Sequence, residues 1–201
     1  MRFLFVLCFC FGNMLIAQTP AELIAEIEGY QAEEDKKFAT AETTILTEKD
    51  FADFKHLDFY PVDLKYRVEA RFVRTPNETP FLMPTTTDRR PEYVKYGEAH
   101  FSVDGHTLKL NLYKNTTPYD DPELKDYLFL PFTDWTSGDG SYGGGRFLDA
   151  YIPKGDIILL DFNKAYNPYC AYNSGYSCPI PPKENDLGVR IEAGVKDFGE
   201  H

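Results

Sequence analysis

The sequence predicts a mainly β, β-rich α+β protein, in which an antiparallel curled sheet, a barrel or a sandwich follows an N-terminal helix. Alternation of apolar and polar side chains over residues 66–72 and 98–113 is typical of half-buried strands. The pair Asp104-Gly105 separates two such runs and predicts a two-residue hairpin turn. A helix-capping sequence begins at Thr19. Barrel and sandwich closure of the sheet are equally compatible with this pattern.

The first seventeen residues have the layout of a secretory signal peptide. Arg2 supplies a positive start, residues 3–17 are largely apolar, and polar sequence begins at Gln18. This layout predicts export to the periplasm or the exterior, with cleavage after Ala17. A membrane-spanning helix is the alternative, but it requires about 20 apolar residues, more than this interrupted run provides. Residues 18–201 then form a single domain, with a helical part at about 19–55 and a β-rich part at about 60–196.

The charge balance argues against some classes of partner. Removal of the signal peptide takes Arg2 from the 21 basic side chains and leaves the 32 acidic ones, a net charge of about −12. Such a surface repels phosphate, which argues against nucleic acid and anionic membranes as partners. No later stretch of the sequence is apolar for long enough to span a bilayer. The four histidines show no metal-ligand spacing, so neither a metal nor a cofactor is predicted.

Two helices are predicted near the N terminus. The sequence Thr19-Pro20-Ala21-Glu22 has the form of a capping box with proline in the first turn. Leu23, Ile27 and Tyr30 follow at helical spacing, and the pattern weakens through residues 33–37. Thr47-Glu48-Lys49-Asp50 offers a second cap ahead of two phenylalanines. A short second helix is therefore expected after Thr47.

The hairpin across Asp104-Gly105 allows a prediction of register. A two-residue turn places Val103 opposite His106 and Phe101 opposite Leu108. These four side chains then share one apolar face. His106 is accordingly predicted to be packed in the core rather than catalytic.

Further strands are predicted on both sides of this hairpin. Residues 66–72 alternate as a half-buried strand, and residues 115–125 are a polar loop with two prolines. Tyr127–Phe132 is a buried-type strand that Pro131 would place at a sheet edge, because proline has no N–H to donate. Ile157–Phe162 is apolar on both faces and should be central. Val189–Ala193 is a weaker final strand.

A glycine-rich segment from Asp134 to Arg146 differs from ordinary scaffold. Five glycines among these thirteen residues allow positive φ angles and close backbone approach. The segment ends on Arg146, whose planar guanidinium suits a carboxylate or a phosphate. It is neither a P-loop, since no Gly-Lys-Ser/Thr follows, nor a dinucleotide motif, since no βαβ unit surrounds it. A flexible surface loop with a structural arginine is the alternative.

A second unusual segment runs from Asp161 to Asn185. Asn167-Pro168 favours a turn, and three later prolines stiffen the exit of the loop. Once the signal peptide is removed, Cys170 and Cys178 are the remaining cysteines, and an even pair in an exported protein predicts a disulfide. This bridge would stabilise the fold by about 2–3 kcal/mol. The polar groups of the loop could converge on a ligand or satisfy its own backbone.

Motifs in these two segments resemble the bacterial and archaeal family catalogued as domain of unknown function 1684. They are Phe132-Thr133-Asp134-x-Thr136-Ser137-Gly138, Tyr142-Gly143-Gly144-Gly145-Arg146, Asp161-Phe162-Asn163-x-Ala165-Tyr166-Asn167-Pro168-x-Cys170-Ala171-Tyr172 and Cys178-Pro179-x-Pro181-Pro182-x-Glu184-Asn185-x-Leu187. The family usually ends on Ala-Gly-Glu-Lys, whereas this chain has Val195 in place of the glutamate. The resemblance implies a set of candidate positions: Tyr142, Arg146, Asp161, Asn163, Tyr166, Asn167, Cys170, Cys178, Glu184 and Asn185.

Three classes of function remain open from the sequence. The first is a binding module for a small polar or anionic ligand, in which Arg146 pairs with the anion. Hydrogen bonds would come from Asp161, Asn163 and Asn167. Aromatic walls would come from Tyr142, Tyr166 and Tyr172. The remaining candidate ligand-binding residues are Glu184 and Asn185. The second is a hydrolase that uses Asp161 and Glu184 as an acid–base pair, or Cys170 as a nucleophile. The third is a protein that docks on an envelope assembly.

Overall fold

The computed structural model of the protein describes residues 18–199 and confirms the predicted mainly β fold with an N-terminal helix. Two helices precede seven strands. The helices are α1 (Pro20–Phe38) and α2 (Glu48–Asp53), and the strands are β1 (Arg67–Arg74), β2 (Phe81–Leu82), β3 (Glu92–Val103), β4 (His106–Asn115), β5 (Tyr127–Phe132), β6 (Arg146–Tyr151) and β7 (Ile157–Asp161). Short 3₁₀ helices occupy Leu64–Tyr66, Pro122–Asp126, Phe162–Lys164, Tyr169–Ala171 and Lys183–Asn185.

The strands form one antiparallel sheet that curls into a half-barrel. Its order is β6-β5-β4-β3-β1-β7, and the short β2 pairs with β3 beside this path. The two end strands, β6 and β7, approach to within 8 Å between Cα atoms, yet no ladder between them is present among the described residues. The barrel is therefore left open at a seam between the two ends of the sheet.

Helix α1 begins with the predicted capping box. The Thr19 side chain accepts a hydrogen bond from the backbone N–H of Glu22, and the Glu22 carboxylate accepts one from the backbone N–H of Thr19. The helix packs across the seam, where Gln31 and Tyr30 donate to the backbone carbonyls of Asn163 and Lys164. Thr47 likewise caps the predicted second helix, α2. The sequence therefore located both helix starts.

The predicted hairpin register is confirmed, with Val103 opposite His106 and Phe101 opposite Leu108. Phe101, Val103 and Leu108 are buried as expected. The placement of His106 in the core is wrong, because this residue lies exposed at the tip of the hairpin next to the turn. The core reaches the turn on β3, where Val103 is buried, but on β4 it begins only at Leu108.

Three strand predictions need correction. Strand β5 lies inside the sheet between β4 and β6, although Pro131 had suggested an edge. Strand β7 is an edge strand rather than a central one, and it leaves Ile157 and Leu159 about half exposed, at 50% and 48%. No strand forms over 189–193, because the carbonyls of Ile191 and Ala193 accept from Arg146 instead of a neighbouring strand.

Three apolar clusters cover the sheet and join it to the helices. The largest fills the inside of the half-barrel and is centred on Phe132 and Phe162. A second joins α1 and the chain after α2 to the long loop and the C-terminal segment, through Phe38 and Tyr172. A third packs Phe129 and other aromatic rings on the opposite face of the sheet. Within residues 18–199, no helix has the length and apolar character needed to cross a membrane.

Candidate functional site

A cleft opens at the seam of the half-barrel, between the two end strands and α1. Its volume is about 220 Å³. We call it the seam cleft, and its lining residues are Glu26, Tyr30, Arg67, Leu148, Asp149, Leu159, Asp161, Lys164 and Tyr166. Seven of these nine side chains carry polar groups and five of them are charged, so a polar ligand would find hydrogen-bond partners there.

Two cations of the seam cleft are held by carboxylates. Arg67 on β1 donates to Asp161 at 2.6 Å, and the Asp161 side chain is almost fully buried. Lys164 contacts Glu26 of α1 at 2.6 Å, and Arg67 lies 3.6 Å from the same carboxylate. The hydrogen bond from Lys164 and the charges of both cations hold the pKa of Glu26 below its ordinary value, although partial burial opposes the shift. These ion pairs tie α1 to the sheet across the seam.

Asp149 is the carboxylate of the seam cleft without a cation among its described partners. Its Oδ1 atom accepts hydrogen bonds from the hydroxyl groups of Tyr166, at 2.7 Å, and Tyr127, at 2.8 Å. Burial raises the pKa of both tyrosines far above 10, and the negative charge of Asp149 raises it further. Both hydroxyl groups therefore stay protonated and remain hydrogen-bond donors to the exposed carboxylate.

Arg146 does not lie in the seam cleft. It is fully buried, and its guanidinium donates to Asp134 at 2.9 Å, to Thr136 at 3.2 Å and to the carbonyl of Ile191 at 2.8 Å. It also donates to the carbonyls of Ala193 and Val195. Within residues 18–199, these acceptors and the complete burial of Arg146 leave no opening at the guanidinium for the predicted anion.

Two of the candidate asparagines support the loop after β7. Asn163 exchanges hydrogen bonds of 3.0 Å with the backbone N–H and carbonyl of Asp63, and its amide donates to Asp161 at 2.9 Å. Asn163 thereby helps to fix the carboxylate of Asp161 at the wall of the seam cleft. Asn167 donates to the carbonyl of Lys196 at 2.8 Å, while its buried Oδ1 has no hydrogen-bond partner among the described residues.

Asn185 fills a gap in the sheet between β4 and β5. Its side-chain Oδ1 accepts from the backbone N–H of Asn111 at 2.9 Å, and its Nδ2 donates to the carbonyls of Asn111, at 2.9 Å, and Pro131, at 2.6 Å. The carboxamide thus makes the hydrogen bonds that a neighbouring strand would make, next to a proline that has no N–H to donate. This arrangement explains how Pro131 is accommodated inside the sheet.

Glu184 and Asp161 are not brought together as an acid–base pair. Glu184 is exposed on the 3₁₀ helix Lys183–Asn185, and it is not among the residues that line the seam cleft with Asp161. Asp161 itself is paired with Arg67. The geometry therefore does not assemble the carboxylate pair proposed for the hydrolase alternative.

A second cleft surrounds Cys170. We call it the Cys170 pocket; it has a volume of about 380 Å³ and is lined by Thr47, Asp50, Tyr142, Cys170, Tyr172, Asn173 and Ser174. The Tyr142 hydroxyl lies 3.8 Å from Cys170 Sγ. Cys170 and Cys178 are free thiols in the structure, and the predicted bridge between them stays a prediction.

The seam cleft therefore unites two of the candidate residues, Asp161 and Tyr166, with seven that the motifs did not indicate. Among those seven, Asp149 lies on β6 three residues after Arg146, and its signal in the sequence was an acidic residue between the apolar Leu148 and Ala150. Glu26 lies on α1, where exposed glutamates are common, and nothing in its local pattern distinguishes it. Among residues 18–199, no group of three or more metal-ligating side chains is placed to hold a metal ion.

Comparison with known proteins identifies the family. Residues 52–196 match a family described as protein of unknown function, DUF1684. The chain belongs to this family. The resemblance inferred from the motifs is thus confirmed, and α1, which supplies Glu26 and Tyr30 to the seam cleft, precedes the matched range.

A solved structure shows the same fold. It is the solution NMR structure of an uncharacterised protein from Haloarcula marismortui, which superposes with a TM-score of 0.69 at 30% sequence identity. The alignment covers 90% of this chain and 97% of that one. A search of curated proteins found no match.

The departure of this chain from the usual DUF1684 ending has a clear structural setting. Val195 is buried against Phe38 and Tyr172 in the apolar cluster between α1 and the long loop. Gly194 before it has a φ of 77°, and a side chain there would collide with the carbonyls of Phe162 and Ala165. The glycine is therefore required by the backbone, while an apolar residue at 195 suits the cluster beside it.

Proposed function

We propose that the protein is a binding module for a small polar ligand and that the ligand occupies the seam cleft. One observation carries this proposal: the exposed Asp149 carboxylate, fixed by two protonated tyrosine hydroxyls, faces a polar cleft beside two ion-paired carboxylates. A carboxylate that is held in place but lacks a cation partner is an acceptor for ligand N–H or O–H groups.

The charge of the seam cleft indicates the kind of ligand. Three carboxylates and two cations line it, and both cations already contact carboxylates of the same cleft. The local balance of about one negative charge disfavours an anionic ligand. The volume of about 220 Å³ lies below the range of roughly 300–1,000 Å³ that is common for drug-sized ligands. A small ligand rich in donors, either a polyhydroxyl compound or an amine, fits these properties.

Titration calorimetry with defined probes tests the proposal. Glucose, N-acetylglucosamine and glycerol serve as hydroxyl-rich probes, spermidine as the amine, and phosphate and acetate as anions. We expect one-to-one binding by at least one hydroxyl-rich or amine probe. Asp149→Asn should weaken it at least about tenfold, since a hydrogen bond to a charged group is worth about 1.5–3 kcal/mol.

The matched control is Asp156→Asn, which removes an exposed carboxylate in the turn between β6 and β7. This variant should bind the same probe as tightly as the wild-type protein. Failure of all neutral and cationic probes to bind, or binding of an anion that Asp149→Asn leaves unchanged, would contradict the proposal.

We also propose that the protein acts outside the cytoplasm, because residues 1–17 have the layout of a signal peptide. These residues lie outside the part of the chain that the structure describes. N-terminal sequencing of protein recovered after expression with its own leader is expected to begin at Gln18. A chain that retains Met1 and remains in the cytoplasmic fraction would overturn this proposal.

A further inference from the structure

The two thiols of the long loop differ in their surroundings. Cys170 is half-buried and forms part of the wall of the Cys170 pocket, whereas Cys178 is buried behind it. The sulfur of Cys178 lies 3.1 Å from the backbone nitrogen of Cys170, which donates a hydrogen bond to it. The Cys178 sulfur therefore lies next to Cys170, while Cys170 is the cysteine that borders the pocket.

We propose that Cys170 and Cys178 form a redox-active dithiol, in which Cys170 exchanges with disulfides that enter the Cys170 pocket and Cys178 resolves the product. The Cys170 thiolate attacks one sulfur of the incoming disulfide, forms a mixed disulfide and releases the other sulfur as a thiolate. The Cys178 thiolate then attacks Cys170 Sγ and releases the second thiol. The protein loses two hydrogens and two electrons, and the substrate disulfide gains them as two thiols.

The electrostatics of the pair support this division of roles. The hydrogen bond from Cys178 lowers the pKa of Cys170 to about 6, opposed by burial and assisted by the Tyr142 hydroxyl. The same hydrogen bond, together with burial, raises the pKa of Cys178 well above its ordinary value. Tyr142, Tyr172 and Asp50 are the other titratable groups that line the pocket. These shifts favour the thiolate at the accessible sulfur, and the thiolate is the nucleophile in exchange.

A purely structural bridge would place different demands on the same loop. Structural bridges resist reduction, whereas exposed ones are the labile, regulatory or catalytic ones, and a structural bridge needs neither a pocket nor a neighbouring hydroxyl donor. Here a cleft of about 380 Å³ leads to Cys170, and its wall includes the Tyr142 hydroxyl, 3.8 Å from the sulfur. This site is separate from the seam cleft and does not depend on the ligand proposed for it.

The test uses the folded, reduced mature protein that begins at Gln18, in which Cys170 and Cys178 are the remaining cysteines. It is treated with oxidised glutathione, and its intact mass is measured. Cys178→Ser should accumulate one glutathionyl group at Cys170, because the resolving sulfur is absent. Cys170→Ser should acquire glutathione at least about tenfold more slowly. Wild-type protein should lose two hydrogens and retain no glutathione. Equal reaction of the two variants, or resistance of the folded wild-type protein to oxidation, would overturn the proposal.

A measurement on the wild-type protein guards against variants that fail to fold. A short pulse of iodoacetamide on the reduced protein, followed by peptide mapping, should label Cys170 at least about tenfold faster than Cys178. The oxidised protein should be reduced again by reduced glutathione without denaturant. Equal labelling of both cysteines, or a bridge that opens only after denaturation, would mean a structural pair and would overturn the proposal.

Discussion

Arg146 on β6 donates a hydrogen bond to Asp134 at 2.9 Å, and neither side chain has any exposed area. Asp134 also accepts from the backbone N–H groups of Thr136 and Ile191, both at 2.9 Å. The ion pair therefore joins the glycine-rich segment to the C-terminal segment through the inside of the half-barrel. Because a buried charge without its partner is costly, this contact should be a main determinant of stability.

Replacement of Arg146 by Met should destabilise the fold by about 3–5 kcal/mol, because Asp134 would remain buried without a counter-charge. Urea unfolding followed by circular dichroism measures the change. The control is Asp139→Asn, which removes the negative charge from the exposed ion pair of Arg190 and Asp139 and should cost less than about 1 kcal/mol. Equal losses in the two variants would contradict a structural role for the buried pair.

Asn185→Ala should also destabilise the protein, by roughly 2–4 kcal/mol. The substitution removes three hydrogen bonds and leaves the buried N–H and carbonyl of Asn111 without these partners. The same urea titration measures the loss. Glu184→Ala, at the exposed neighbouring position, is the matched control and should change the midpoint little. A variant at 185 that is as stable as the control would show that water replaces the carboxamide between β4 and β5.

Local patterns predicted much of the fold. The Thr19 capping box and the register across Asp104-Gly105 depend on a few neighbouring residues, and both are confirmed. The position of a strand within the sheet depends instead on distant contacts. Pro131 suggested an edge because its missing N–H was considered alone, whereas Asn185, far along the chain, completes the pairing around it.

The candidate site was predictable only in part, for a related reason. Asp161 and Tyr166 belong to one loop and could be selected together from the motifs. The seam cleft, however, also needs Glu26 from α1 and Asp149 from β6, and these residues meet only when the sheet curls. Arg146 was selected as a charged residue among glycines, but such a position suits an internal ion pair as well as an external ligand.

Glu98 on β3 should make stability depend on acid pH. Burial alone would raise its pKa, but hydrogen bonds from Lys109 and Lys95 outweigh it and lower the pKa from 4.5 to about 2. Because the folded-state pKa is depressed, this stabilisation is present above about pH 4.5 and is lost as pH falls toward 2. Urea midpoints measured between pH 7 and 2 should fall less steeply for Glu98→Gln.

Lys109→Met provides the partner test for Glu98, since Lys109 lies 3.1 Å from its carboxylate on the neighbouring strand. This variant should reduce the same acid-dependent loss. If the urea midpoints of both variants fall below pH 4.5 as steeply as those of the wild-type protein, other carboxylates are responsible for the loss of stability in acid.

The tyrosines beside Asp149 should make the fold sensitive to alkaline pH. Burial, followed by nearby negative charge, raises the pKa values of Tyr127 and Tyr166 above the ordinary value of 10. Raised folded-state values give stability that is present below pH 10 and is lost as pH rises above it. Absorbance at an alkaline tyrosinate band should therefore show delayed ionisation in the folded protein. Asp149→Asn should lower the pH at which these tyrosines ionise, whereas the control Asp156→Asn should leave that pH unchanged.

Tyr142 should tune the reactivity of Cys170. Its hydroxyl lies 3.8 Å from Cys170 Sγ and contributes to the lowered pKa of that thiol, after the hydrogen bond from Cys178. In Tyr142→Phe the thiolate loses a donor, so the pH midpoint of iodoacetamide labelling at Cys170 should rise above that of the wild-type protein. Tyr176→Phe is the control, because the Tyr176 ring packs on Tyr169 in the same loop. An unchanged midpoint in Tyr142→Phe would leave Cys178 as the source of the thiolate stabilisation, whereas a shift in both variants would indicate a general loosening of the loop.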